Sequence, residues 1–87
     1  MYNLTNEELA KIVENVYKRC FSDFYGGVKN VEIKRSSHRL ISAYCDNMLL
    51  CPIDLERDEI RMFIQRPKMI RVVTRGEIDE ILACSKV

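Results

Sequence analysis

Residues 34–40, KRSSHRL, set Lys34, Arg35, Arg39 and the chain's only histidine, His38, around two serines. These residue types could grip phosphate, or supply a hydroxyl nucleophile with an imidazole base. The second chemistry needs the base within hydrogen-bond reach of the hydroxyl and a third group to orient it. Ser36 and Ser37 fall where two strand-like runs meet, and a side chain in such a turn has no walls to exclude water. His38 therefore reads as an exposed turn residue, and the cluster as a basic rim rather than a catalytic centre.

Other candidate chemistries fail on spacing. The four cysteines, Cys20, Cys45, Cys51 and Cys84, contain no C-x₂₋₄-C pair; the nearest two thiols, in CDNMLLC, have five residues between them, so no zinc site is expected. The acidic stretch DLERDE places Asp54, Glu56 and Asp58 at the alternate spacing of a calcium loop. Glu59 stands where that loop requires glycine and Gln65 where it requires the bidentate glutamate, which makes the stretch a solvated turn. The glycine pair in YGG is followed by no Lys-Ser/Thr and is not part of a GxGxxG, so no nucleotide cradle is indicated. The expectation is a non-enzyme with no metal and no cofactor.

Composition sets the frame. A chain of 87 residues, 47% hydrophobic and 31% charged with three Gly and two Pro, should form one globular domain spanning 1–87 with a single core. No run approaches the ~18 apolar residues of a membrane span, and MYNLTNEELAK has neither the basic nor the apolar region of a secretory leader. A cytoplasmic location with reduced thiols packed as small hydrophobes follows as the expectation. The net charge of +1 is too small for non-specific attraction to nucleic acid to dominate. It is unevenly spread: 28–39 carries +3 and 57–75 carries +4, while the remaining segments are acidic.

The elements that would position these residues can be read from period and caps. LTNEEL (4–9) and VTRGEI (73–78) each place Thr three residues before Glu and bracket the pair with apolar residues, the signature of a capping box with a hydrophobic staple. Thr5 and Thr74 are the expected N-caps. Behind Thr5, Leu9, Ile12, Val13, Val16, Tyr17, Cys20, Phe21 and Phe24 form a helical apolar stripe; behind Thr74, Ile78, Ile81 and Leu82 form a shorter one.

Between the helices the period is two. Val31 and Ile33, then Ile41, Ala43 and Cys45, alternate with polar neighbours as two strands. Asp46-Asn47 suits the positive-φ positions of a tight hairpin, returning 48–53 as a third strand that Pro52 should confine to an edge or a strand end. Segments 59–64 and 69–73 flank Pro67. The stretch 55–66 is rich in helix formers and stops at Pro67, as a helix would, but Ile60, Met62 and Ile64 fit alternation better than a helical set. The expected fold is α+β: an N-terminal helix, an antiparallel meander of four or five strands, and a C-terminal helix. This order is similar in outline to that of double-stranded RNA-binding domains. The second helix, opening TRGEIDE, lacks the lysines such domains bring to phosphate, so no residue roles are carried over.

With both helices on one side, the other sheet face is left uncovered. Alternation assigns Val31, Ile33, Ile41, Ala43, Ile60, Met62, Ile64, Ile70 and Val72 to the core, and Glu32, Lys34, Leu40, Ser42, Tyr44, Arg61, Phe63, Met69 and Arg71 to the outer face. Arg, Tyr, Phe and Met are types enriched at protein interfaces. The expected partner-binding set is Lys34, Arg35, His38, Arg39, Tyr44, Arg61, Phe63 and Arg71. Three functions compete. The first is a small protein-binding regulator or inhibitor, in the size class of many phage-encoded inhibitors, covering a larger protein or nucleoprotein that presents an acidic surface. The second is a nucleic-acid binder whose aromatics stack on bases. The third is a dimeric sponge or sensor for a small anion, held by Arg61 and Arg71. A fifth strand, a homodimer partner or bare solvent is the structural alternative for the outer face.

Overall fold

The computed structural model describes residues 4–20, 30–36, 41–65 and 68–84, Cys20 by its backbone alone. Helix α1 (Asn6–Cys20) is followed by strands β1 (Glu32–Arg35), β2 (Ile41–Cys45), β3 (Met48–Leu55), β4 (Glu59–Ile64) and β5 (Met69–Thr74), and helix α2 (Arg75–Cys84). The strands form one antiparallel sheet in the order β1-β2-β3-β4-β5. This is the α+β meander the period changes predict, with five strands. Phe21 and Phe24, placed on the first helix by periodicity, lie outside the described residues.

Local chemistry explains the element ends. At α1 the capping box is complete: the Glu8 amide donates to Thr5 Oγ1 at 3.1 Å and the Thr5 amide to Glu8 Oε1 at 3.0 Å. At α2 only half of it forms, the Glu77 amide donating to Thr74 Oγ1 at 3.4 Å, because the Glu77 carboxylate is taken by Arg71. The residues expected to form the two staples, Leu4 with Leu9 and Val73 with Ile78, are all buried in the core. Asp46 and Asn47 have φ of 51° and 65°, the two consecutive positive values of a two-residue hairpin turn matched to strand twist.

Segment 59–64 is a strand, paired on both sides, with Ile60, Met62 and Ile64 at most 1% exposed. Pro52 does not confine β3 to an edge as expected. A residue inside a sheet directs its amide toward one neighbour only, so proline forfeits bonding on one side. Pairing with β2 runs through Ser42↔Pro52, whereas pairing with β4 extends only as far as Ile53↔Met62. The proline thus limits one ladder of a central strand. A register shift next to Ala43 leaves Leu50 as an extra residue between the pairs Ala43↔Cys51 and Tyr44↔Leu49, which lets Leu50 and Cys51 both be buried.

The core is the layer between the helices and one sheet face. Leu9, Ile12, Val13, Val16 and Tyr17 of α1 and Ile78 and Ile81 of α2 meet Ile33, Ile41, Ala43, Cys51, Ile53, Ile60, Met62, Ile64 and Val73. Tyr17 is fully buried, and its hydroxyl donates to the Leu50 carbonyl at 3.1 Å, pinning α1 to the β3 bulge. Of the cysteines expected inside, Cys51 is buried and Cys45 partly so, but Cys84 is exposed at the end of α2, where the helix turns that position to solvent.

Burial pushes the Cys51 thiol from its ordinary 9.0 up to about 12, against a smaller opposing pull from its hydrogen bond with Tyr17. A thiol raised in the fold contributes full stability below its unfolded pKa and loses it as pH climbs toward the folded one. The loss is at most about 1.4 kcal/mol per pH unit. Under reducing conditions, unfolding free energy should therefore fall between pH 8 and pH 10 by about 1.4 kcal/mol more in the wild type than in Cys51→Ala. Equal falls in the two proteins would contradict the buried thiol.

Candidate partner-binding face

The side of the sheet away from the helices carries side chains from all five strands. Cross-strand partners on it include Glu32↔Tyr44, Lys34↔Ser42, Tyr44↔Leu49, Asp54↔Arg61, Arg61↔Val72 and Phe63↔Ile70. An apolar strip runs across it from Tyr44 and Leu49 through Pro52 and Phe63 to Ile70 and Val72. Leu49 is 40%, Ile70 58% and Val72 38% exposed, while Tyr44, Pro52 and Phe63 are half-buried. Charges flank the strip with both signs. The Lys34 ammonium sits 4.7 Å from the centroid of the Tyr44 ring, fixing the basic end over an aromatic surface.

At the other end Arg61 donates to Glu59 at 3.0 Å and lies 3.8 Å from Glu56. The Glu59 hydrogen bond first, then the Glu59 and Glu56 charges, hold its guanidinium more firmly protonated than an isolated arginine's. The acidic turn 54–59 thus serves Arg61, with Asp58 reaching Arg75 at 3.7 Å. Among the described residues no three His, Cys, Asp or Glu side chains gather as a cation site would require, and no helix is long and apolar enough to cross a membrane.

Of the eight residues expected to bind a partner, Lys34, Tyr44, Arg61 and Phe63 share this face. Arg35 and Arg71 do not. Arg35 pairs with buried Ile41 and so lies on the helix side, where it donates to Asn6 Oδ1 at 2.7 Å and to the Leu4 carbonyl at 2.6 Å. It clamps β1 to the start of α1. Arg71 pairs with buried Met62 and donates to Glu77 Oε1 at 2.6 Å and to the Val72 carbonyl. His38 and Arg39, and Leu40 of the expected outer face, lie outside the described residues.

The β5 register is the reverse of the alternation assigned from sequence: Ile70 and Val72 face outward, and Met69, Arg71 and Val73 take the helix-side positions. The cap explains why. Val73 is the residue before the Thr74 N-cap and must be buried to staple against Ile78, and a period of two then turns Arg71 inward and Val72 outward. The staple motif carried that signal in the sequence; alternation within 69–73, where four of five residues are apolar, did not.

The clamp assignment separates two neighbouring cations. Arg35→Ser should lower unfolding free energy by about 1 kcal/mol in a urea titration, through lost charge-assisted hydrogen bonds in a partly exposed setting. Lys34→Ser should cost less than that, since an exposed cation–aromatic contact contributes about 0.5 kcal/mol. Arg35→Ser leaving stability unchanged would remove the clamp.

No family model, characterised protein or solved structure matches this chain, so a functional reading rests on the geometry of this face.

Proposed function

We propose that the chain is a non-enzymatic, cytoplasmic binding module: a small regulator or inhibitor that covers a functional surface of a larger protein or nucleoprotein. The observation that supports this most is the continuous aromatic and aliphatic strip on the outer sheet face, opposite both helices. A strip of Tyr, Phe and aliphatic side chains with a charged surround has the make-up of an interface centre and rim.

Charge favours protein over nucleic acid as the partner. Among the described residues the outer-face cations Lys34 and Arg61 are accompanied by Glu32, Asp54 and Glu59, and this set of mixed sign lacks the excess of Lys and Arg that phosphate binding draws on. The anion-sponge reading also loses support, since Arg61 and Arg71 lie on opposite faces and are each engaged by glutamate.

The test is affinity capture with the wild type and with Tyr44→Ala, Arg61→Ala and Phe63→Ala combined, followed by titration of the captured protein after purification. Capture lost in the triple variant with the fold intact by circular dichroism is the expected result. Capture that survives all three changes would overturn this face as the binding surface.

A further inference from the structure

The two edges of the sheet are unlike. β1 is four residues long, its outward side chains are Glu32 and Lys34, and it is tied to α1 at both ends: the Val31 amide donates to Glu14 Oε1 at 3.2 Å and Arg35 reaches Asn6 and Leu4. Short, charged and covered is how proteins blunt an edge. β5 is six residues long, ends the sheet on the other side, and exposes Met69, Ile70 and Val72. A long edge with aliphatic side chains is a template for another strand.

Charge narrows the occupant. From residue 68 to 76 the chain carries Lys68, Arg71 and Arg75 and no acid. Glu77 offsets Arg71 from α2, but Asp58 meets Arg75 only at 3.7 Å with both side chains about two-thirds exposed, so the edge keeps a positive bias. Two copies of β5 paired about a two-fold axis would bring these cations together along one joint, and like charges across a strand pair are destabilising. An acidic strand has the opposite consequence.

We propose that β5 is a strand-addition site for an extended, acidic segment of a partner protein. Main-chain hydrogen bonds supply the pairing; alternate aliphatic side chains extend the outer-face strip beside Ile70 and Val72, and the intervening carboxylates lie toward Arg71 with its flanking cations. An incoming amide competes with Arg71 at the Val72 carbonyl, so the guanidinium exchanges that contact for a carboxylate. This rests on the protein-binding reading above and adds the mode of engagement and the chemistry of the partner.

The probe is an acetylated, amidated heptapeptide alternating Val and Glu, titrated into ¹⁵N-labelled chain at moderate salt, with a Val–Lys peptide and a thymidine oligonucleotide alongside. Saturable shifts of the Met69–Thr74 amides, absent from Glu32–Arg35, are expected with the Val–Glu peptide, at about tenfold higher affinity than the Val–Lys peptide. In Lys68→Glu/Arg75→Glu the preference should invert; both changes are at exposed positions, and Glu at the first turn of α2 suits the helix dipole. No β5 response at millimolar peptide, equal response to both peptides, stronger response to the oligonucleotide, or concentration-dependent self-association through β5 would each overturn strand addition. Any of these results beside intact Phe63-dependent capture would leave the protein-binding reading standing.

Discussion

Tyr17→Ala should lower the unfolding free energy by about 4–6 kcal/mol, the largest effect of any single change considered. Truncating a buried aromatic costs about 3–5 kcal/mol through lost transfer energy and the cavity left behind, and the Leu50 carbonyl loses its donor where water does not reach, which adds about 1–3 kcal/mol before relaxation. A chain of 87 residues has a total stability of only about 4–13 kcal/mol, so the variant should be partly or wholly unfolded at 25 °C. Tyr17→Phe separates the contributions: the ring still fills the core and only the hydroxyl's hydrogen bonds, to the Leu50 carbonyl and the Cys51 thiol, are lost, for about 1–3 kcal/mol. Urea unfolding followed by far-ultraviolet circular dichroism measures both. Tyr17→Ala within about 1 kcal/mol of wild type would mean that α1 is not pinned to the β3 bulge.

Phe63→Ala should do the opposite: leave the fold nearly unchanged and weaken partner binding by about 2 kcal/mol, roughly thirtyfold in Kd. Phe63 sits midway along the outer strip, paired with Ile70 and on the opposite face from Met62 and Ile64. An aromatic anchor surrounded by aliphatic groups that exclude water is where interface energy concentrates. Lys34→Ser, at the rim, should instead slow association and steepen no other parameter, because an exposed charge acts on encounter more than on residence. Isothermal titration against the purified partner reads the first, stopped-flow association the second. A Phe63→Ala protein that binds as tightly as wild type would place the energetic centre elsewhere.

How far the sequence carried these conclusions depends on the kind of signal. Strong local chemistry was legible: the Thr5–Glu8 box, the Asp46-Asn47 turn and the alternation of Ile60, Met62 and Ile64 each name their own structure, and all three are seen. Facing direction was legible where apolar and polar residues alternate cleanly and failed where they do not. In β5 almost every residue is apolar or has an apolar stem, so the parity is set by Val73 and the helix cap that follows it.

Arg35 was illegible for a different reason. Residue type says that Arg35 is charged, but whether it meets a partner or the Leu4 carbonyl depends on where α1 begins relative to β1, a tertiary relation absent from local pattern. Lys34, Tyr44, Arg61 and Phe63 share one sheet face, as expected, because they lie on strands whose alternation is unambiguous. Leu49, Pro52, Ile70 and Val72 joined it only once strand order and register were in hand.

The central claim is that the outer sheet face, not the helix layer, meets the partner. Hydroxyl-radical footprinting of the chain alone and in complex with its captured partner tests this most directly, since it reads side chains on both layers in one experiment. Protection concentrated at Tyr44, Leu49, Phe63 and Ile70, with exposed positions of the helices such as Lys11, Lys18 and Glu80 unchanged, is the predicted result. Protection of those helix positions with Phe63 and Ile70 oxidised as in the free chain would contradict it.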